Sequence, residues 1–284
     1  MLRVVSRASP LAVYQANEVI TLLEKKGVKA ELVTRTTSPD RHLNQPLSDF
    51  DKYSFTKEID QALLDGDADV AVHSAKDMGV MMPQGVSMVG CLPAHQRHDV
   101  LVTLPNALPL SSGARVGLGG IRREHQLKHH AAHFKAIPIR GNIARRLSYL
   151  EHECDAIVMA KAAIVRLKLH HDYQLLDLDW VPAANQGIIA TTMLENHPHK
   201  ALLESLMHAK TTEVMTFEKT LVAYLGADCQ MPLGICLQEH SLKGYHLSIE
   251  WFFKQHRFYF NEYGGLDQLM TKAREGLFTF KDSL

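Results

Sequence analysis

The apolar and polar positions at the start of the chain alternate between two periods. Runs at 2–5, 29–35 and 68–72 have the length and the β-branched or alternating content of strands. Between them, apolar residues recur at helical spacing in segments 10–23 and 54–64. A glycine follows each of these two segments, as expected where a helix ends. The order β-α-β-α-β predicts a parallel sheet with helices on its faces.

A second α/β pattern starts after Gly90. It predicts strands at 100–103, 115–117, 136–139 and 154–160, with helices after the second and the third of these. From about residue 211 the pattern changes to one long helix, three strands within 235–260 and an amphipathic helix that begins near Leu266. This last part is typical of a small α+β domain.

The strand predicted at 68–72 ends in polar and charged residues. His73, Ser74, Lys76 and Asp77 follow it directly. Open α/β sheets bind ligands beyond the carboxyl ends of their strands, so these side chains are candidates for a binding or catalytic site. Lys76 and Asp77 could equally form a solvated pair in a turn, and the pattern alone leaves that alternative open.

Charge is balanced over the whole chain but not along it. The 284 residues carry 31 basic and 31 acidic side chains, which gives no general attraction to nucleic acid or to a membrane. Residues 115–146 contain eight Lys or Arg residues and one acid, whereas residues 49–77 contain eight acids and three bases. The middle of the chain is therefore basic.

Three arginines of this basic part stand at predicted helix starts. Arg122 and Arg123 begin one helix, and Arg140 precedes the next. Helix N-termini add unpaired N–H groups and positive potential, and guanidinium groups bind carboxylates at two points, so an anion is the expected ligand. A solvated basic face is the alternative. Nucleic acid is not expected, because no aromatic residues are interleaved with these arginines.

Cysteine, histidine and apolar content restrict the class of protein further. The four cysteines form no Cys-x-x-Cys pair and no secretory segment precedes Leu2, so we expect a reduced, cytoplasmic compartment. No apolar run approaches the ~18 residues of a membrane helix. The 17 histidines include His129-His130 and His170-His171, which we interpret as solvated helix ends, and they show no metal-binding spacing. We expect a monomer that holds no metal.

Several stretches resemble, in order, the motifs of the porphobilinogen deaminase family. The segment 71–77, Ala-Val-His-Ser-Ala-Lys-Asp, is similar to the family's AVHSxKD motif, and 3–16 is similar to its opening RxxxRxSxLAxxQA string. The segments 116–127, 139–147 and 182–187 are similar to its VGTSSLRRxxQL, LRGNxxTRLxKL and PAxGQG strings.

A loop near the C-terminus carries a further resemblance. Cys229 stands in Cys-Gln-Met-Pro-Leu-Gly, which is similar to the family's GGCQxPxG loop. In the family, the cysteine of this loop holds a dipyrromethane cofactor through a thioether. Cys91, Cys154 and Cys236 lie in apolar contexts, where a free cysteine behaves as a small hydrophobic residue, and we assign them to packing.

The resemblance implies an architecture. We expect two α/β domains of the type II periplasmic-binding-protein kind around a hinged cleft, followed by a small C-terminal α+β domain. The chain would return to the first sheet after the turn at 182–187, which makes the first domain discontinuous. The expected boundaries are 1–90 with 187–207, then 91–186, then 208–284.

The resemblance also implies an activity, the stepwise condensation of four porphobilinogen units into hydroxymethylbilane with release of ammonia in tetrapyrrole (haem) biosynthesis. This transferase would use Asp77 as its catalytic acid and base, because one carboxylate can protonate the leaving amine, stabilise the cations formed and accept the final proton. The dipyrromethane cofactor would be bound by Cys229, Lys76, Arg122, Arg123 and Arg140. The substrate porphobilinogen would be bound by Arg7, Ser9, Arg146 and Gln186, and no metal or nucleotide would be needed.

The chain departs from the family pattern in four places. Asp49 to Tyr53 lack the family's loop glycines, Asn44 stands for an aspartate, Leu118 to Gly120 replace hydroxyl-bearing residues, and Ala227-Asp228 replace two glycines. We expect an active enzyme that is slower than a typical member. A non-catalytic paralogue that binds a pyrrole or another polycarboxylate is the alternative. A third alternative is a ligand-sensing domain of a transcription regulator, but the sequence shows no helix-turn-helix segment that such a regulator would use.

Overall fold

The structure, a computed structural model, describes residues 1–41, 55–226 and 231–284. Within these ranges the strands are β1 (Leu2–Arg7), β2 (Ala30–Arg35), β3 (Val70–Ser74), β4 (Val86–Cys91), β5 (Asp99–Thr103), β6 (Arg115–Leu118), β7 (Lys135–Pro138), β8 (Ala156–Ala160), β9 (Gln174–Asp177), β10 (Ile189–Leu194), β11 (Leu233–His240), β12 (Gly244–Phe253) and β13 (His256–Gly264). The helices are α1 (Pro10–Glu24), α2 (Ser38–Arg41), α3 (Lys57–Leu64), α4 (Ile121–His130), α5 (Ile143–Ser148), α6 (Lys161–Arg166), α7 (Lys200–Leu206), α8 (Ala209–Tyr224) and α9 (Leu266–Asp282). The predicted fold class is confirmed, with two five-stranded α/β sheets and a small three-stranded sheet with helices.

The first sheet has the strand order β2-β1-β3-β10-β4 and is mixed, whereas the sequence pattern predicted a parallel sheet. The predicted parallel neighbours do form, because β1 lies parallel to both β2 and β3. β10 returns from the second sheet and runs antiparallel to β3 and β4. Its Ile189 pairs with Ser74, so the returning segment supports the strand end that precedes Lys76 and Asp77. The apolar pattern missed β4, whose alternation is broken by Gly90.

Helix α1 begins where the sequence predicted. Ser9 caps it, since the Ser9 hydroxyl oxygen accepts a hydrogen bond from the Ala12 backbone N–H at 3.4 Å, and Pro10 occupies the first helical position. The side chains of Ala16, Val19 and Leu23 pack against the first sheet. Gln15 is also buried, and its side-chain oxygen accepts a hydrogen bond from the Ser74 hydroxyl at 3.0 Å. Helix α1 thereby contacts the carboxyl end of β3.

The second sheet has the order β7-β6-β8-β5-β9. β6 lies parallel to β7 and β8, and β5 runs antiparallel to β8 and β9. Helix α4 was expected to continue to about His133 but ends at His130, because Ala131 leaves the helical backbone conformation. The short elements β9 and α6 were not predicted.

The third sheet is an antiparallel meander of β11, β12 and β13. Helices α8 and α9 contribute to the same hydrophobic core as this sheet. Leu269, Ala273 and Leu277 lie four residues apart on α9 and are fully buried, which matches the predicted amphipathic helix.

Two segments cross between the first and second sheets, and a buried ion pair ties both to the third unit. Arg97, on the first crossing, donates to Glu218 at 2.7 Å, to the Leu237 carbonyl at 2.7 Å and to the Gln186 carbonyl at 3.0 Å. Glu218 in turn accepts from the backbone N–H groups of Asn185 and Leu237, both at 2.6 Å. Removing one partner of such a buried pair costs about 3–5 kcal/mol, so both crossings are firmly attached to α8.

Candidate active site

The candidate site starts at the carboxyl end of β3. Residues Ala75–Asp77 form a single 3₁₀ turn directly after the strand, which leaves Lys76 and Asp77 half-buried at the sheet edge. Among the described residues, no hydrogen-bond donor or cation lies within bonding distance of the Asp77 carboxylate. The Asp77 carboxylate, which no described residue pairs with, is therefore available to bind a ligand.

Lys76 lies among charges contributed by the second sheet. Burial lowers the pKa of Lys76 to about 8; the neighbouring Asp77 and Asp99 carboxylates oppose this change, and the Arg123 and Arg146 guanidinium groups add to it. The first sheet's strand end and the basic part of the second unit therefore face each other.

Arg122 and Arg123 share one buried carboxylate, that of Asp99 at the start of β5. Arg122 donates to Asp99 Oδ2 at 2.7 Å, and Arg123 donates to Asp99 Oδ1 at 2.7 Å and to Oδ2 at 3.3 Å. Burial alone would raise the pKa of Asp99, but the two guanidinium groups hold it well below its usual range. Asp99 is fully buried, and it fixes the orientation of both arginines.

Arg122 is committed to the protein on its other side as well. Its Nη1 donates to Gln126 Oε1 at 2.6 Å and to the Val181 carbonyl at 3.0 Å, and Gln126 Nε2 donates to Glu250 on β12 at 2.6 Å. Arg122 is thus a buried link between the second and third units, and its role in holding the cofactor stays a prediction. Among the described residues, Arg123 donates hydrogen bonds to Asp99 alone, and it lies near Lys76 and Arg146.

Arg146 and Arg140 complete the basic group. Burial, together with the nearby guanidinium groups of Arg123, Arg140 and Arg7, lowers the pKa of Arg146 to about 10, and the Asp77 carboxylate opposes this change. Arg146 Nε donates to the Gly141 carbonyl at 2.8 Å. Arg140 Nη1 is buried and has no hydrogen-bond partner among the described residues. A buried guanidinium nitrogen without a partner is costly, so it indicates a place for an anionic ligand.

The remaining predicted substrate residues lie in different settings. Arg7, at the end of β1, stands over the Phe55 ring at 5.2 Å and close to Arg146. Ser9 is occupied as the cap of α1. Gln186 is buried at the second crossing, where Nε2 donates to Asp99 Oδ1 and to the Arg97 carbonyl, both at 2.9 Å. Gln186 therefore helps to hold the Asp99 carboxylate in place, and its contact with substrate stays a prediction.

The structure explains part of the difference between residues 118–120 and the hydroxyl-bearing residues of the family. Leu118 is buried among Leu127, Val158 and other core residues, so this side chain faces the interior. A Cβ on Gly119 would lie 2.7 Å from Arg146 Nη1, and the guanidinium group occupies the space that a serine side chain would need. Gly120 precedes α4 with φ of 95°, a conformation that favours glycine. Of the three hydroxyls expected to be lost, that of position 118 would not face the cleft.

Cys229 lies outside the described residues, as do Asn44, the segment from Asp49 to Tyr53, Ala227 and Asp228. The end of the cysteine motif is described. A Cβ on Gly234 would clash with the Val181 carbonyl oxygen, which also accepts the hydrogen bonds of Arg122 and Gln126. The motif that carries Cys229 therefore ends in contact with the residues that support the arginines.

The charge of the site determines what it can bind. In the described part of the chain, Lys76, Arg122, Arg123, Arg140 and Arg146 contribute five positive charges, and Asp77 and Asp99 contribute two negative ones. This excess of positive charge favours anionic partners, and guanidinium groups bind carboxylates well. The orphaned Arg140 nitrogen and this excess charge fit a cofactor that carries several carboxylates.

Sequence reasoning missed Asp99, Gln126, Glu250 and the Arg97–Glu218 pair. Asp99 had one available signal, an acidic residue placed directly before a strand of apolar residues. Gln126 matches the glutamine of the family string at 116–127, but its partner Glu250, 124 positions away in the chain, had no signal. The three remaining cysteines, Cys91, Cys154 and Cys236, are buried in cores as predicted.

Comparisons with known proteins identify the family of this chain. The profile of the family described as "Porphobilinogen deaminase, dipyromethane cofactor binding domain" matches residues 2–201. A probable porphobilinogen deaminase of Thermoplasma volcanium is 35% identical, over 97% of this chain and 96% of its own length. Porphobilinogen deaminases of Campylobacter fetus and Acidithiobacillus ferrooxidans are 32% and 38% identical, over 88% and 82% of this chain and 83% and 79% of their own.

A solved periplasmic substrate-binding protein of an ABC transporter from Coxiella burnetii has a TM-score of 0.46 and 16% identity, over 77% of this chain and 97% of its own. The family profile covers well over half of the chain, and the relatives exceed 30% identity over most of it. The predicted resemblance is confirmed: the chain belongs to the porphobilinogen deaminase family.

Proposed function

We propose that this protein is a hydroxymethylbilane synthase that condenses four porphobilinogen units into hydroxymethylbilane and releases ammonia at each step. The observation that carries the proposal is the excess of basic side chains around Asp77, a carboxylate that no described residue pairs with. Porphobilinogen and its oligomers carry two carboxylates per pyrrole, which such a group of cations can bind. Membership of the family supports the same activity.

The basic side chains bind and orient the substrate in this proposal. Arg146, Arg140 and Arg7 approach from two sheets, so carboxylates on opposite sides of a pyrrole can be held at once. Arg123 presents one face of its guanidinium group to the site while Asp99 fixes the other. Orientation of this kind lowers the barrier because the reacting atoms are already aligned when the substrate is bound.

Asp77 moves the protons. Its carboxyl group protonates the aminomethyl nitrogen of porphobilinogen, so that the C–N bond breaks and ammonia leaves. The carboxylate then stabilises the positive charge that develops on the pyrroles, and it accepts the proton lost when the new C–C bond forms. The neighbouring Lys76 offsets the charge of the carboxylate when it is ionised.

The dipyrromethane cofactor would be held by Cys229 through a thioether and by Lys76, Arg123 and Arg140 through its carboxylates. When bound, it supplies a primer whose terminal pyrrole accepts the first substrate unit. Arg122 supports this arrangement from the interior, through Asp99 and Gln126.

The domain boundaries that we propose are 1–90 with 187–207, then 91–186, then 208–284. They are supported by the three sheets and by the crossings near Arg97 and Gln186.

No helix of the described residues is long and apolar enough to cross a membrane. We propose that the protein is cytoplasmic and a monomer. Gel filtration with light scattering can test the monomeric state.

Incubation of the purified protein with porphobilinogen tests the proposed function. We expect four molecules of ammonia for each tetrapyrrole, and a product that cyclises and oxidises to uroporphyrin. Tight binding of porphobilinogen without ammonia release would instead indicate a non-catalytic paralogue, and neither binding nor turnover would contradict both functions.

Lys76, which we expect to bind the cofactor carboxylates, lies near Arg146 of the proposed substrate site, so its charge should also favour substrate binding. Burial lowers the pKa of Lys76 to about 8, so this side chain loses its positive charge above that pH and binds an anion less well. We expect the affinity for porphobilinogen to fall between pH 7 and pH 9. Calorimetry in an Asp77→Asn background, which avoids turnover, measures it.

Lys76→Arg in the same background is the matched control. A guanidinium group stays charged over this range, so the variant should keep its affinity at pH 9. Equal pH dependence in both proteins would show that Lys76 does not contact the substrate carboxylates.

A further inference from the structure

A second group of ligand-type side chains lies outside the cleft, at the opposite end of α4 from Arg122 and Arg123. His129, His130 and Glu250 each have one possible ligand atom that lies within 4.8 Å of those of the other two. The two histidines end α4 and are exposed, whereas Glu250 on β12 has a side chain that is 1% exposed. The sequence predicted a solvated helix end here, but the His130 ring lies 2.9 Å from the Glu250 carboxylate.

The Glu250 carboxylate is held in a fixed orientation. Its Oε2 accepts a hydrogen bond from Gln126 Nε2 at 2.6 Å, and its Oε1 accepts from Arg257 Nε at 2.8 Å and faces His130 Nε2. Outer hydrogen bonds of this kind orient the ligands of metal sites and raise their affinity. His130 and Glu250 also line an adjacent cleft between the second and third units, which has a volume of about 270 Å³.

We propose that His129, His130 and Glu250 bind one divalent transition-metal ion, of the Zn²⁺ or Co²⁺ class. Two imidazole nitrogens and one carboxylate oxygen are a donor set that these ions prefer, and water would fill the fourth position. The ion takes the place of the proton shared by His130 Nε2 and Glu250 Oε1, and that proton leaves to solvent.

The His130–Glu250 pair requires a small adjustment, and the His129 ligand atom, which lies within 4.8 Å of the other two, has to move closer to them. Metal–nitrogen and metal–oxygen bonds of about 2.0–2.2 Å at a tetrahedral angle place the two ligand atoms about 3.3 Å apart. The nitrogen and oxygen of His130 and Glu250 are 2.9 Å apart. The pair therefore has to open by about 0.4 Å, which a rotation of the exposed His130 side chain can supply.

Arg257 opposes the ion, and this gives the proposal a specific consequence. Its guanidinium group donates to the same oxygen and repels a cation, but it is 30% exposed and stacks on the Tyr259 ring at 4.5 Å. Arg257→Gln keeps a hydrogen-bond donor and removes the charge. This variant should therefore bind the ion more tightly than the parent protein.

Titration of the full-length, tag-free protein with Co²⁺ tests the proposal, since four-coordinate Co²⁺ absorbs strongly in the visible range. We expect one saturable ion per chain with this spectrum. His129→Ala, which changes an exposed ligand, should weaken binding by about 10-fold or more, as losing even an outer-shell partner costs 10–100-fold. Circular dichroism checks that the variant is folded.

The His170→Ala/His171→Ala double variant is the matched control. These histidines are also adjacent, with ring centroids 4.0 Å apart, but no third ligand among the described residues joins them. It should bind Co²⁺ as the parent does. Equal affinities of the parent and His129→Ala, or the absence of a saturable site, would overturn the proposal. The inference does not depend on the proposed function, because porphobilinogen turnover is measured separately.

Discussion

Asp77→Asn is expected to reduce the rate of hydroxymethylbilane formation by at least 10²–10⁴-fold while leaving the protein folded. The amide has the same shape as the carboxyl group but cannot donate or accept the catalytic proton, and it does not stabilise a cation. Asp77 lies half-buried after β3 and has no partner among the described residues, so no structural ion pair is lost by the change. Release of ammonia from porphobilinogen under single-turnover conditions measures the chemical step directly.

Asp172→Asn is the matched control for this prediction, because Asp172 is an exposed carboxylate of the second unit away from the site. It should turn over porphobilinogen as the parent does. Circular dichroism and thermal unfolding should be unchanged in both variants. A rate within a few fold of the parent in Asp77→Asn would place the catalytic acid on another residue.

Cys229→Ser is expected to abolish the covalent cofactor and, with it, all tetrapyrrole formation. A serine hydroxyl is a much weaker nucleophile than a thiolate, so the thioether to dipyrromethane should not form. The intact mass of the parent, purified from cells that make porphobilinogen, should exceed the sequence mass by two linked pyrroles. The mass of the variant should equal that of its sequence.

Cys154→Ser provides the comparison, because Cys154 is buried in the core of the second unit and should carry no adduct. This variant should keep the added mass, even if its stability is lower. An unmodified parent, or an adduct that survives in Cys229→Ser, would show that the cofactor is not attached at this cysteine.

The chain's local pattern was enough to locate the strand that precedes Lys76 and Asp77, although β3 covers Val70–Ser74 and not the predicted 68–72. The short β-branched run predicted Lys76 and Asp77 at the carboxyl end of a strand, and they follow β3 directly. The Ser9 cap and Pro10 are likewise local signals, so the start of α1 was predicted to the residue. Arg122 and Arg123 were placed correctly at the start of α4 for the same reason.

The partners of these residues could not be predicted, because each partner comes from a distant part of the chain. Asp99 pairs with arginines 23 and 24 positions away and with Gln186 87 positions away. An isolated acid before an apolar strand has many possible partners, and only the assembled sheets select these. The same applies to Arg97 and Glu218, which meet 121 positions apart.

The effect of the glycines before α4 also depended on the fold. Compared with the family pattern, the segment 118–120 lacks three hydroxyl groups. In the structure Leu118 belongs to the core, and Gly119 leaves room for the Arg146 guanidinium group. Since the Arg146 guanidinium group occupies space that a side chain would take, we expect its positive charge to offset part of the lost hydrogen bonding.

The sequence by itself determined most of the strands and helices, with β4, β9 and α6 missed, and which family the chain resembles, because both depend on local periodicity and on motifs that are continuous in the chain. The tertiary structure decided which charges meet. It committed Arg122 and Gln186 to supporting Asp99, brought Arg123 and Arg146 near Lys76, and brought two histidines of α4 beside Glu250. The physical reason is that a buried charge needs a partner within a few ångströms, and only the packing of distant segments can supply one.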